Sequence, residues 1–173
     1  MSDGRILRML GAAAVVGGVL RIASAFIPYA PNVMWLEVLY FVIDEALLLG
    51  LIGFFVAHRE RLGFVGFIAA AVAGTGIALI VGPDAMMFGV DFYRGGVLII
   101  TVGLTLLSLV ILVTRAAPWW IAVAWIGAAV VGFGGAAMAR AELGFLAGGV
   151  LFGLGFVAAG VATMKAATPP VTS

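Results

Sequence analysis

The chain has 173 residues, 65% of them hydrophobic and only 10% charged, with a formal net charge of +1. A soluble domain carries about 25% charged residues, so this composition excludes a water-soluble fold and indicates an integral membrane protein of one domain. It contains no cysteine and a single histidine, His58, which removes disulfides, thiolate metal sites and multi-histidine haem or zinc centres, and leaves no cofactor to expect. The scattered basic residues and near-neutral charge give no reason to expect nucleic acid as a partner.

Six apolar stretches are long enough to span a bilayer at about 20 residues each, at roughly 7–27, 34–57, 62–82, 95–114, 118–139 and 143–164. Connections of a few residues predict an all-α bundle of three antiparallel hairpins in a single domain, followed by a loose tail over 165–173. Arg5, Arg8, Arg59, Arg61, Arg115 and Lys165 fall at one set of ends. Arg94 and Arg140 fall at the other, so the positive-inside rule predicts both termini in the cytoplasm and a multi-pass protein of the inner membrane. For the first stretch a second reading is a signal peptide: Arg5 and Arg8 precede an apolar run that closes on Ala23-Ser24-Ala25.

In that first stretch Gly11, Ala14, Gly18, Arg21 and Ala25 share a helical face, a small-residue ridge that turns Arg21 toward protein. The second stretch is the most informative. It places Glu37, Asp44 and Glu45 in a spanning helix, with Asp44 ten residues in from Met34, about 15 Å deep. Thirteen Leu, Ile, Val and Phe residues between Val38 and Val56 contribute roughly −4 to −8 kcal/mol to insertion. Two acids near mid-membrane cost about +2.5 to +3.5 kcal/mol each, which nearly cancels that gain. The acids therefore need partners on other helices, and Arg21 pairing with Glu37 or Asp44 is the simplest.

His58-Arg59-Glu60-Arg61 reads as a solvated turn. Gly63, Gly66, Ala70 and Gly74 read as packing in the third helix. The longest outer connection, 82–94, contains Asp84 and Asp91 and reads as an interfacial segment, with a lid over a pocket as the functional alternative. In the fourth helix Arg94, Thr101, Thr105 and Ser108 form a polar stripe. Its hydroxyls either bond back to their own helix or line a cavity facing Asp44 and Glu45. Pro118-Trp119-Trp120 opens the fifth helix, and Gly127–Gly135 with Arg140 repeats the pattern of Gly11–Gly18 with Arg21, which hints at duplication of a hairpin. The sixth helix is a glycine-rich packing element.

Taken together, Arg21, Glu37, Asp44, Glu45, Arg94, Thr101, Thr105 and Arg140 are the candidate ligand- or ion-binding residues, with no metal site and no catalytic set among them. Mixed charge at membrane depth points to a solute-binding or transport protein with an outward-facing polar pocket, taking a small molecule or ion. Six helices with both termini inside are similar in outline to the substrate-binding subunits of vitamin transporters that borrow an ATPase module, a resemblance of helix count and size. Another reading is a non-catalytic accessory subunit whose glycine ridges dock a membrane-protein partner or a second copy. An intramembrane enzyme is weaker, because adjacent Asp44 and Glu45 point about 100° apart on a helix and form no shared-proton pair.

Overall fold

The computed structural model describes residues 3–27, 30, 33–81, 86–87, 90–138 and 140–168. Among them the fold is all-helical apart from one short antiparallel pair. The elements are α1 (Asp3–Ser24), α2 (Met34–Ile80), β1 (Met86–Met87), β2 (Val90–Asp91), α3 (Phe92–Thr114), α4 (Trp119–Ala137) and α5 (Ala141–Ala166). The two strands are two residues each and lie in the connection between α2 and α3, so the segment expected to be interfacial, or alternatively a lid, falls partly on them and partly outside the described residues. The tail from 169 onward also lies outside them.

Helix ends follow local chemistry. Asp91 caps α3, its Oδ1 accepting the backbone N–H of Arg94 at 2.9 Å, as a carboxylate at an N-terminus should. At the other end of α3, Arg115 takes the left-handed conformation (φ 51°, ψ 34°), which stops the helix before Pro118 opens α4.

The 47-residue α2 does not run straight. At 1.5 Å per residue it would be about 70 Å long, more than twice the hydrocarbon thickness of a bilayer. Gly63 breaks it, with φ 62° and ψ −160°, a region of backbone space open essentially to glycine alone. The chain doubles back there. The rings of Phe55 and Phe67 lie 5.7 Å apart, where twelve residues of straight helix would separate them by about 18 Å. Gly74 likewise faces Leu48 and Leu51. His58 to Arg61, expected in the turn, are therefore the last helical residues of the first arm (34–62). The turn belongs to Gly63 because only a residue without Cβ adopts that backbone conformation cheaply.

Glycine seams hold the bundle. Across α1 and the first arm of α2, Gly53 meets Leu10, Gly50 meets Ala14 and Gly17 meets Ala46 and Leu47. A Cβ added at Gly50 would stand 2.5 Å from that of Ala14, so the helices approach to backbone contact. On its other side α1 packs against α5, where Gly18 faces Gly153 and Gly11 faces Gly160. The second arm (64–80) pairs with α3 through Gly76, Gly96 and Gly103, and α4 pairs with α5 through Gly135 and Gly144. The ridge Gly11, Ala14, Gly18 read from the sequence thus packs against α2 and α5 of the same chain. Between the seams sits a core that includes Phe54, Leu47, Ile77, Leu107, Ile121, Trp125 and Phe156, all buried.

The outside is apolar. Phe64, Val113, Trp119 and Met138 are each more than 60% exposed, a liability in water and the normal state of a surface solvated by lipid. Four of the helices, α1, α2, α3 and α5, are long and apolar enough to cross a membrane. Length and composition are in this way compatible with an integral membrane protein.

Candidate functional site

The register of the glycine seam fixes what faces Arg21. Leu10 opposes Gly53, Ala14 opposes Gly50 and Gly17 opposes Ala46 and Leu47. Each step up α1 is a step back along α2, so Arg21 stands level with Asp44, one turn and more above Gly17. Glu37 lies about two turns further out, beyond the end of α1, because α2 begins well past the level at which α1 stops. Of the two partners anticipated for Arg21, the register selects Asp44.

Arg21 is held from three sides. Its Nη1 donates to Ser24 Oγ at 3.2 Å, and that hydroxyl donates in turn to the Arg21 carbonyl at 3.0 Å. Ser24 is buried and Arg21 half-buried, so this clamp is partly shielded from solvent. The guanidinium also lies against α5, where a Cβ at Gly149 would stand 3.6 Å from Nη2. Across the α1–α2 seam the register sets Asp44 at the level of Arg21, with Glu45 next to it in the chain. Yet among the described residues no ion pair or hydrogen bond joins Asp44 or Glu45 to Arg21. A guanidinium has five N–H donors and Ser24 takes one of them. The site is thus a half-buried cation level with a half-buried acid, Asp44, without direct contact, and a second half-buried acid, Glu45, beside it in the chain.

The other expected site residues are placed elsewhere or satisfied locally. Arg94 is exposed and pairs through Nε with Asp91 Oδ2 at 3.2 Å, within the cap of α3. Arg140 is exposed in the connection from α4 to α5, its N–H bonded to the Gly135 carbonyl at 2.9 Å. Thr101 donates to the Val97 carbonyl at 2.8 Å and Ser108 to the Leu104 carbonyl at 2.7 Å. These two hydroxyls satisfy themselves on their own helix, which is the packing alternative for the stripe. Thr105 is half-buried on the same helix, and among the described residues no hydrogen bond links it to Arg21, Asp44 or Glu45. Glu37 and Tyr40 are half-buried near the start of α2, and both have partners.

Two residues of the site escape sequence reasoning. Ser24, three positions after Arg21, was legible as an i,i+3 neighbour; Gly149 was not, since its place beside the guanidinium comes from the α1–α5 seam. His58 is also different from expectation. It is half-buried, its Nδ1 lies 2.9 Å from the Phe54 carbonyl, and its ring stacks on Phe54 at 4.7 Å.

Among the described residues no group of three or more histidines, aspartates or glutamates is arranged to hold a metal ion. Compared with family models, with curated proteins and with solved structures, the chain matches none.

Proposed function

We propose that this is a six-span membrane protein that binds, and through binding transports, a small charged solute or ion at the Arg21–Asp44–Glu45 site. The six spans are α1, the two arms of α2, α3, α4 and α5, arranged as three antiparallel hairpins in the inner membrane. Six cations support a cytoplasmic placement of one end. Leu7, Arg59, Arg61, Ala116 and Ala166 meet around one cleft, and Arg8 reaches Thr168. The starts and stops that carry Arg5, Arg8, Arg59, Arg61, Arg115 and Lys165 therefore share that end, as the positive-inside rule requires of a cytoplasmic face.

The observation that carries the reading is the placement of Arg21 and Asp44: level across a helix seam and, among the described residues, not bonded to each other. If their role were only to fix helix register, direct pairing would offset the cost of desolvating both. Charges kept apart at membrane depth, with donors and acceptors unspent, suit an occupant that brings its own. Arg21 would hold an anionic group, and Asp44 with Glu45 a cation or proton.

Thermal unfolding of the detergent-purified chain against small anions, monovalent cations and zwitterionic solutes, at two pH values, tests this. A ligand that binds only the folded state raises the melting temperature. The expected result is a selective rise that Asp44→Asn and Arg21→Lys each abolish. Equal responses in wild type and both variants would refute the site.

A further inference from the structure

The opposite end of the bundle holds a second polar concavity. A cleft of about 420 Å³ opens between the start of α1, the last helical turns of the first arm of α2, the α3–α4 connection and the end of α5. Its walls are Leu7, Val56 and Ala57 on the apolar side and His58, Arg59, Glu60 and Arg61 on the polar side, closed by Ala116 and Ala166. We infer that this cleft binds a phosphate-bearing group.

Charge is the first ground. Arg59 and Arg61 line the cleft directly, and three more cations are the chain neighbours of lining residues: Arg8 beside Leu7, Arg115 beside Ala116 and Lys165 beside Ala166. They come from four separate elements. Against them stands one lining carboxylate, Glu60, with Asp3 a turn before Leu7. The positive-inside rule is met by cations anywhere at a cytoplasmic end; two arginines lining a concave site, with three more cations at adjoining chain positions, concentrate positive potential there. Arginine in particular offers the planar fork that meets phosphate oxygens in pairs.

Shape and the histidine supply the rest. A cleft of this volume exceeds what a bare phosphate fills and lies in the range of sites for small organic ligands. The apolar lining residues Leu7, Val56, Ala57, Ala116 and Ala166 suit a phosphate ester with an apolar body. His58 is not the free turn residue its neighbours suggest: with Nδ1 engaged by the Phe54 carbonyl, its remaining polar atom is Nε2. The ring rests on Phe54, which meets Trp125 edge-on at 5.9 Å, so this lining histidine is anchored to the aromatic core beside the cleft.

A lipid headgroup at the membrane surface and a soluble phosphate ester share this chemistry, and the test separates them. The full chain is placed in phosphatidylcholine nanodiscs and its melting temperature followed with inorganic phosphate, with AMP, and in discs doped with phosphatidic acid. A probe at a hundredfold its Kd is expected to raise the melting temperature by roughly 5–10 °C. Arg59→Gln/Arg61→Gln should lose that rise, while Arg94→Gln, exposed and paired with Asp91 away from this cleft, should keep it. A response to the soluble probes assigns a soluble ester, and a response to phosphatidic acid alone assigns a lipid headgroup. No response to any of the three, or the same rise in the double variant, overturns the inference. Should the double variant fail to fold, native mass spectrometry of the wild type replaces it, and a chain that carries neither phosphate nor phosphatidic acid adducts overturns it equally.

Discussion

Toward α1, helix α5 presents Gly149, Gly153 and Gly160; toward α4 it presents Gly144, Gly148 and Gly155. Both faces use glycine to bring backbones together, but they enclose different things. The α4 face closes on Gly135 at one end and on the indole of Trp125 at the other, with Trp125 also against Phe156 at 5.4 Å. The α1 face is equally tight at Gly18–Gly153 and Gly11–Gly160, then loosens by one turn at Gly149 to admit a guanidinium. The same residue type therefore does two jobs on one helix: contact without space along most of its length, and space for a charge at a single level.

The comparison breaks most severely at Gly153. A Cβ there would stand 2.6 Å from the Gly18 carbonyl oxygen, a backbone atom that cannot swing aside. Gly153→Leu is expected to cost about 3 kcal/mol or more, seen as loss of monodisperse protein or a large drop in melting temperature. Gly127→Leu is its counterpart on α4. An added Cβ at Gly127 meets only Leu151 Cδ1, at 3.5 Å, so a near-wild-type melting temperature is expected there. Equal losses at the two positions would mean that the α1–α5 seam is not special.

Arg21→Ala comes next. It removes the clamp with Ser24 and strands Asp44 and Glu45 without a cation. Because the group is half-buried, the cost expected is about 1–3 kcal/mol, below the figure for a fully buried pair. A variant as stable as wild type would remove the proposed coupling of α1 to α2. On the α4 face, Gly155→Ala pushes a methyl into the Trp125 ring and should cost about 1–2 kcal/mol, with partial recovery when Trp125→Phe is added. The smallest effect is expected at Gly149→Ala. Its Cβ would sit 3.4 Å from Ala25 and 3.6 Å from Arg21 Nη2, ordinary contact distances, so stability should hold within about 0.5 kcal/mol. Gly149→Leu should instead displace the guanidinium and weaken ligand response without matching the loss at Gly153.

Much of this was legible from residues alone. The apolar runs marked where helices lie, with ends within a few residues of those observed for α3, α4 and α5. The ridge Gly11, Ala14, Gly18 pointed to close contact, and the cost of Asp44 and Glu45 in an apolar helix pointed to partners on other helices, Arg21 being the simplest. The break in α2 was misplaced by a few residues. Charged His58–Arg61 looked like the turn because polarity was weighed there, while the backbone conformation that only Gly63 adopts cheaply decided it. For the polar stripe of α3 the spacing allowed either back-bonding or a lining; Thr101 and Ser108 spend their hydroxyls on their own helix, an outcome that spacing alone does not distinguish.

What the sequence by itself determined is therefore the medium and the inventory. A chain this apolar must present apolar surface outward, and buried charge within it must be compensated. The tertiary structure alone decided which partners meet. Periodicity gives each helix a face but not the offset between helices, and that offset, set by glycine meeting Leu10, Ala14 and Ala46 across one seam, brings Arg21 level with Asp44 rather than Glu37. The cleft at the other end has the same origin: Leu7, His58 to Arg61, Ala116 and Ala166 are far apart along the chain, and only the packing of the helices brings them around one concavity.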